Sequence, residues 1–398
     1  MRQFLAMCLL VGLSTAASAE GQQCADCVAA PAVSVASTYT GEMWRNVSGG
    51  QATGDRYLDN LDITFDVNGG RLFGAEGMEL FAYLLYNNGH SIAELSDAAQ
   101  GISNIESTRA VRLYELWTQW QFGGASSSLR FGLYDLNSEF DSIETAGLFI
   151  NPSHGIGPDF SQSGTNGPSI FPTTSLALRG LTTHGRWTFQ AAALDGVPGD
   201  TDHPDRSGIH LSSAEGAVLV GEVNYRLESG LRLGAGYWRY TAKFAELEAT
   251  DAAGASAQGA GNAGFYAIAE SPTFFAYDAS QGVRFFVRTG VAEDRFNPIH
   301  RYYGAGLVYT GWARRPQDQI GFAVAVAEPG APFRQSQQGS GVGTASECDY
   351  EITYRFSVND WLTLQSDVQY VRHPGMNPSV DPAWVVGLRF EAGYGWSW

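Results

Sequence analysis

From Trp384 to the end of the chain every second residue is apolar or aromatic: Trp384, Val386, Leu388, Phe390, Ala392, Tyr394, Trp396 and Trp398. The residues between them, Val385, Gly387, Arg389, Glu391, Gly393, Gly395 and Ser397, are mostly small, polar or charged. A period of two belongs to a strand whose faces meet different surroundings. A terminal strand this long, apolar outward and polar inward, is what a transmembrane β-barrel needs to close on its first strand. A strand of a soluble sandwich is the competing reading, because one barrel strand alone is a weak signal.

The opposite end reads as an export signal. Arg2 supplies a charge, Phe4 to Leu13 an apolar core, and Ala17-Ser18-Ala19 a small-residue cleavage site. The expected organisation is therefore a signal peptide over 1–19, a short leader over 20–34, and a barrel over 35–398. No later window is apolar enough for a spanning helix. A formal charge of −17 argues against a nucleic-acid partner. Charged residues are 16% of the chain and aromatics 13%, a balance that suits a β-protein facing lipid as well as a secreted sandwich. Cys8 leaves with the signal. Cys24 and Cys27 read as a small disulfide loop in an oxidising compartment, with Cys348 left unpaired.

Short alternating segments recur through the rest of the chain. Leu61, Ile63, Phe65 and Val67 oppose Asp62, Thr64 and Asp66; Met78, Leu80, Ala82 and Leu84 are expected outward. Over 108–122, Tyr114, Leu116, Trp120 and Phe122 are expected outward and Glu115, Trp117, Gln119 and Gln121 inward. Over 128–136, Leu129, Phe131 and Leu133 oppose Arg130, Gly132 and Tyr134. A first segment at Val35–Trp44 and further ones near 174–181, 185–194, 215–227, 230–242, 262–270, 281–290, 301–311, 319–327, 346–357, 361–372 and 383–398 bring the count to about sixteen strands, an even number as in bacterial outer-membrane barrels.

The connections sort by length. Asn68-Gly69-Gly70 reads as a tight turn, and Gly123-Gly124, Glu228-Ser229-Gly230 and Asn359-Asp360 make other short links. Between them lie long connections at Asn87–Ser107, Asn137–Thr173, Asp195–Ala214, Lys243–Gly261 and Glu328–Ala345. The links around Pro272 and Pro316 are less tidy. Alternating short and long links describe a meander closed across the outer membrane, with both termini on the periplasmic side. The fold class expected is all-β: a transmembrane antiparallel β-barrel of about sixteen strands. Its third outer loop, Asn137–Thr173, is the longest and is rich in proline. A barrel this wide is not filled by side chains, so a long loop folded inward is a physical way to constrict it.

Several segments resemble the OprB-type carbohydrate-selective porin family: Arg112-Leu113-Tyr114-Glu115-Leu116-Trp117; Leu129-Arg130-Phe131-Gly132-Leu133-Tyr134-Asp135 with Glu139-Phe140 and Gly147-Leu148-Phe149-Ile150-Asn151; and Leu362-Thr363-Leu364-Gln365, Asp367-Val368-Gln369-Tyr370, His373-Pro374-Gly375 and Val386-Gly387-Leu388-Arg389. Ser366 stands where the family commonly has proline, and Trp398 where it usually has phenylalanine. The resemblance implies a passive channel for small sugars in the outer membrane, without a cofactor. Lipid around the wall and the barrel-assembly machinery, reading the C-terminal strand, are the partners such a barrel would have.

By parity the inward candidates include Arg109, Glu115, Trp117, Gln119, Arg130, Tyr134, Arg179, Glu222, Arg284, Arg288, Gln365, Asp367, Gln369 and Arg389. Arginine donates hydrogen bonds to sugar hydroxyls, carboxylates accept, and glutamine does both. Trp117 or Tyr134 could offer a flat face to a pyranose. Arg109, Glu115 and Arg130 stand out because they precede the constriction loop. Cross-strand pairs that only support the wall are the plainer reading for each charge. The arginines also admit a general porin or a channel for small anions or organic acids, although a wall of mixed sign suits uncharged solutes better. An enzyme is not expected: no Gly-x-Ser-x-Gly elbow and no paired-histidine metal spacing occurs.

Overall fold

The computed structural model describes residues 31–398 except 201–202, 204–207, 210, 251–255, 276–280, 338–339 and 341. The expected signal, most of the leader, and Cys24 with Cys27 lie outside the described residues.

The wall consists of β1 (Val33–Ser48), β2 (Gly54–Asn68), β3 (Met78–Gly89), β4 (Ala110–Phe122), β5 (Ser127–Tyr134), β6 (Ser175–His184), β7 (Trp187–Asp195), β8 (Ala217–Arg226) and β9 (Arg232–Tyr240), continuing after the hairpin β10 (Lys243–Thr250) and β11 (Ser256–Ala260). It is completed by β12 (Ala263–Glu270), β13 (Gly282–Ala292), β14 (Ile299–Thr310), β15 (Gln319–Pro329), β16 (Glu347–Asn359), β17 (Leu362–Arg372) and β18 (Ala383–Ser397). Sixteen of these strands, all but β10 and β11, close into one barrel in sequence order, with β18 pairing back onto β1. Each of its strand pairs is antiparallel, so the backbone groups of both edges are satisfied and no sheet edge meets lipid.

The terminal alternation does what its period requires. Trp384, Leu388, Tyr394 and Trp396 are exposed on the outer face, while Val385 and Arg389 are buried inside. Closure reaches the chain end, where the Trp398 amide donates to the Val33 carbonyl at 2.9 Å. Outward Leu178, Phe189, Phe265, Leu307 and Phe322 continue the apolar wall.

Four local expectations need correction. Asn68 does not make a two-residue turn; its side chain accepts the Arg71 amide and caps a single helical turn, Gly69–Phe73, so β3 starts at Met78. The long connection after β9 is partly the β10–β11 hairpin. Tyr114 is buried, not outward. Tyr83 pairs with Glu115 but Leu84 with Leu113, so Tyr114 sits in a bulge that turns it inward onto Tyr83, ring centroids 4.9 Å apart. The same bulge resets parity upstream, making Arg112 the buried side chain there. Arg109 lies just before β4 and is exposed. Cys348 on β16 is a free, half-buried thiol.

Candidate functional site: a lumen narrowed by two loops

The third loop, 135–174, does fold into the barrel. Its chain is held in short turns with local caps: the Asp135 carboxylate accepts from the Asn137 amide at 2.8 Å and Asn151 Oδ1 from the Ser153 amide at 2.9 Å, while Pro152 and Pro158 occupy first-turn positions. These turns aim Phe140, Ile143, Leu148, Phe149, Ile156 and Phe160 at wall residues such as Trp238, Tyr266 and Phe286. Phe160 stacks on Trp238 at 4.8 Å and 7°. The inner wall thus carries large apolar residues where the loop lies on it, which a polar-lumen pattern does not anticipate.

Charged wall residues fasten the loop by its backbone. Glu222 accepts the Asp141 amide at 2.8 Å, Glu270 the Thr145 amide at 2.6 Å, and Glu351 the Ile150 and Asn151 amides at 2.6 and 3.1 Å. In the other direction Gln190, Gln365 and Arg232 donate to the carbonyls of Glu139, Leu148 and Ser142 at 2.9, 2.7 and 2.6 Å. Such bonds satisfy the irregular backbone inside the barrel, where an unmade bond to a buried group would be costly. Arg284 pairs with Glu144 at 2.9 Å, and that hydrogen bond holds the Glu144 carboxyl below its ordinary range.

The loop between β3 and β4 also turns inward, which the sequence reading did not foresee. Ile92, Leu95, Ile102 and Ile105 pack on Trp44, Leu58, Val371 and Val385. Gly387 makes that possible: a Cβ there would collide with the Trp44 ring. Glu347 accepts the amides of Ala99 and Gln100, both at 2.8 Å, and Gln369 donates to the Ile102 carbonyl at 2.9 Å. The two loops meet where Asn151 donates to the Gly101 carbonyl at 3.1 Å.

The eight candidate residues therefore separate by environment. Arg389 is buried in a clamp, with Nε 2.6 Å from Glu42 Oε1 and Nη2 2.5 Å from Asn104 Oδ1. Asp367 is buried beneath the loops and accepts from Gln369 at 3.0 Å. Glu115 accepts the Asp135 amide and the Trp117 indole, both at 3.1 Å, fixing the exit of β5 into the loop. Tyr134 is buried and donates to Glu139 at 2.6 Å. Arg179, also buried, makes a two-pronged pair with Glu139 at 2.7 Å. Arg109 stands apart from this cluster.

Arg130 and Trp117 keep partial exposure on the inner wall. The Arg130 guanidinium lies 3.8 Å from the Trp117 ring centre, with Phe81 stacked on the indole at 5.0 Å and 24°. Trp117 thus contributes a supported ring, not the open flat face the sequence suggested. A polar row crosses four strands: Gln119 donates to Glu79 at 2.9 Å and accepts from Arg130 at 3.1 Å and from Arg179 at 2.8 Å. Glu79, Phe81, Tyr83, Asp62 and Glu139 belong to this region and are missing from the sequence-derived pore candidates, although the parity of β2 and β3 places the first four inward. Arg355 and Glu391, 3.1 Å apart, continue it near the closing seam. Among the described residues no group of three or more His, Cys, Asp and Glu side chains could hold a metal ion.

His154 gives the loop a pH dependence. Its ring is enclosed against Phe149 and Phe286, with neither nitrogen hydrogen-bonded and the Glu351 carboxylate 3.8 Å from Nε2, and burial pushes its pKa down from 6.5 to about 3. A depressed histidine adds stability that is whole above 6.5 and is lost as pH falls toward about 3. Each pH unit in that window is worth at most about 1.4 kcal/mol. His154→Leu is expected to be less acid-sensitive than the wild type in thermal melts at pH 7, 5 and 4; equal sensitivity would exclude this role.

Comparisons with known proteins match this geometry. A family model described as "Carbohydrate-selective porin, OprB family" matches residues 52–394. Porin B of Pseudomonas aeruginosa is 24% identical over 395 residues, covering 89% of this chain and 86% of that protein. The high-pH structure of Pseudomonas putida OprB superposes with a TM-score of 0.81 at 21% identity, over 91% of this chain and 94% of that one. OmpT of Vibrio cholerae, solved without its loop L8, gives a TM-score of 0.52 at 9% identity over 92% of this chain and all of that one, 100%.

Proposed function

The chain belongs to the OprB family of carbohydrate-selective porins, and from that premise we propose that it is an outer-membrane channel passing small sugars, monosaccharides included, down their concentration gradient. The protein is a channel rather than an enzyme. The observation that carries the sugar reading is the inner-wall row Glu79–Gln119–Arg130–Arg179 ending on Glu139, in which two arginine donors are balanced by carboxylate acceptors at both ends and Glu79, Arg130 and Glu139 keep partial exposure. Neutral polyols can exchange water for such groups without being held by a net charge.

A second feature disfavours the anion-channel alternative. Arg130 and Arg179 share Glu139, Arg232 and Arg284 share Glu270, Arg355 faces Glu391, and Arg389 is paired with Glu42. Arginines neutralised in this way do not form the uncompensated cationic ring of an anion pore.

In the orientation that fits the loops, the short links and both chain ends face the periplasm and the long loops face outward. Trp398 then lies at the periplasmic aromatic girdle, the outer wall contacts lipid, and β18 is the strand recognised by the barrel-assembly machinery. Residues 1–19 act as the export signal in this reading.

Proteoliposomes are expected to swell in isosmotic glucose, and glucose or short oligosaccharides to reduce ion current through single channels in planar bilayers. Neither swelling nor current reduction at any sugar concentration would overturn the sugar reading.

A further inference from the structure

We propose that the inner wall between β2 and β5 carries a binding subsite for a neutral pyranose ring, with the Phe81 side chain as its platform. This rests on the sugar-channel reading above and assigns that channel a specific contact.

Phe81 is placed by register. Asp66 pairs with Phe81, Phe81 with Trp117, and Trp117 with Gly132, giving one straight row across four strands on the inner face. Within the row the two aromatic rings differ. Trp117 has Phe81 stacked at 5.0 Å and the Arg130 guanidinium at 3.8 Å, so neither face is open. Phe81 rests on Trp117, and its other aromatic neighbour, Tyr83, meets it edge-on at 6.4 Å and 82°. The Phe81 ring remains half-buried, with Trp117 as a rigid backing.

Two carboxylates neighbour the ring by register. Asp66, exposed on the inner face, accepts no hydrogen bond among the described residues. Glu79, one inward position along β3, is oriented by Gln119 and Gln121 at 2.9 and 3.1 Å. On the far side of Trp117, Arg130, held by Gln119 at 3.1 Å and Glu139 at 3.4 Å, fixes the backing ring. A pyranose has apolar C–H faces and a rim of hydroxyls that both donate and accept. An aromatic face flanked by the Asp66 and Glu79 carboxylate acceptors complements that surface.

The inward loops pack beside Phe81 and not on it. Their apolar contacts fall on the wall from β5 round to β15, with Trp117 at the edge, and on the seam formed by β1, β2, β17 and β18. Phe81, Asp66 and Glu79 belong to neither loop-packed cluster.

The test is sugar block of ion current in planar bilayers, with glucose and maltotriose as probes. Phe81→Ala is expected to raise the half-blocking concentration roughly three- to tenfold. Phe81→Leu keeps bulk but removes the flat face and should show the same loss, which covers the case where the alanine variant folds poorly. Phe81→Trp should retain block, and Asp66→Asn should weaken it. Block of wild type that is unchanged in both Phe81→Ala and Phe81→Leu would overturn the subsite and leave the sugar reading intact. Wild type that is not blocked, with liposomes that do not swell, would overturn both.

Discussion

Replacing Arg288 by alanine is expected to release the third loop from the wall and open the channel. The guanidinium is fully enclosed, with Nε 3.1 Å and Nη2 2.6 Å from the two oxygens of Asp141, and Nη1 paired with Asp159. Both carboxylates belong to the loop, and Arg288 belongs to β13, so one wall side chain binds the loop at two points. The surroundings are shaped for it. A Cβ on Gly157 would strike the guanidinium, and one on Gly290 would strike Asp159 and Arg288. The ring centres of Tyr302 and Tyr266 lie 5.2 and 5.5 Å away. Removing the cation leaves two buried carboxylates without compensation, a change that costs about 3–5 kcal/mol. Releasing the loop into water is the route that relieves it. Single-channel recordings should show higher and noisier conductance, and thermal melts a lower loop-dependent transition, while the closed hydrogen-bond ladder keeps the barrel intact. Arg288→Lys should rescue only in part, because an ammonium cannot reproduce the forked pair. Wild-type conductance in Arg288→Ala would exclude the clamp.

Deleting residues 150–168 should raise conductance further than Arg288→Ala does, because it removes the loop segment from the lumen. That segment supplies Ile156 and Phe160 to the lumen cluster, the Ile150 and Asn151 amides to Glu351, and the Ser153 carbonyl to Tyr302 at 2.8 Å. Its loss uncovers Trp238 and removes the contact with the neighbouring loop at Gly101. Exposing a large apolar wall residue costs about 1.5–3 kcal/mol, so the variant should also melt earlier. Conductance equal to wild type would remove this segment from the constriction. The two variants test different things: Arg288→Ala removes an anchor and keeps the chain, whereas the deletion removes the obstruction itself.

The strand rhythm was legible because it follows from a local rule. Lipid outside and a polar interior impose a period of two on each strand, and the boundaries read from that period fall within a few residues of those observed. Where the rule has a local exception, the reading slipped. The bulge at Tyr114 inserts one residue into β4, which turns Tyr114 inward and leaves Arg109 outside the strand. No residue type nearby announces it. The helical turn at Gly69–Phe73 escaped for a similar reason, since Asn-Gly-Gly serves a tight turn and a helix cap equally well.

The candidate site was legible only as a list of side chains facing inward. Glu222, Arg288, Gln365 and Arg389 do face inward, but what they meet is protein: loop amides, loop carboxylates and a loop carbonyl. Parity along one strand says which face a residue takes and nothing about what lies opposite it across the lumen.

By itself the sequence determined the barrel, its strand number, its apolar exterior and the inward set of charges, because each depends on neighbours two residues apart or on the length of a link. Only the tertiary structure decided which of those charges stay open to the lumen. That depends on where two loops, distant in sequence, lie against the wall, and on the buried pairs and backbone bonds that hold them there. It is also why Phe81, an ordinary aromatic in the sequence, becomes a ring that the loops pack beside and not on.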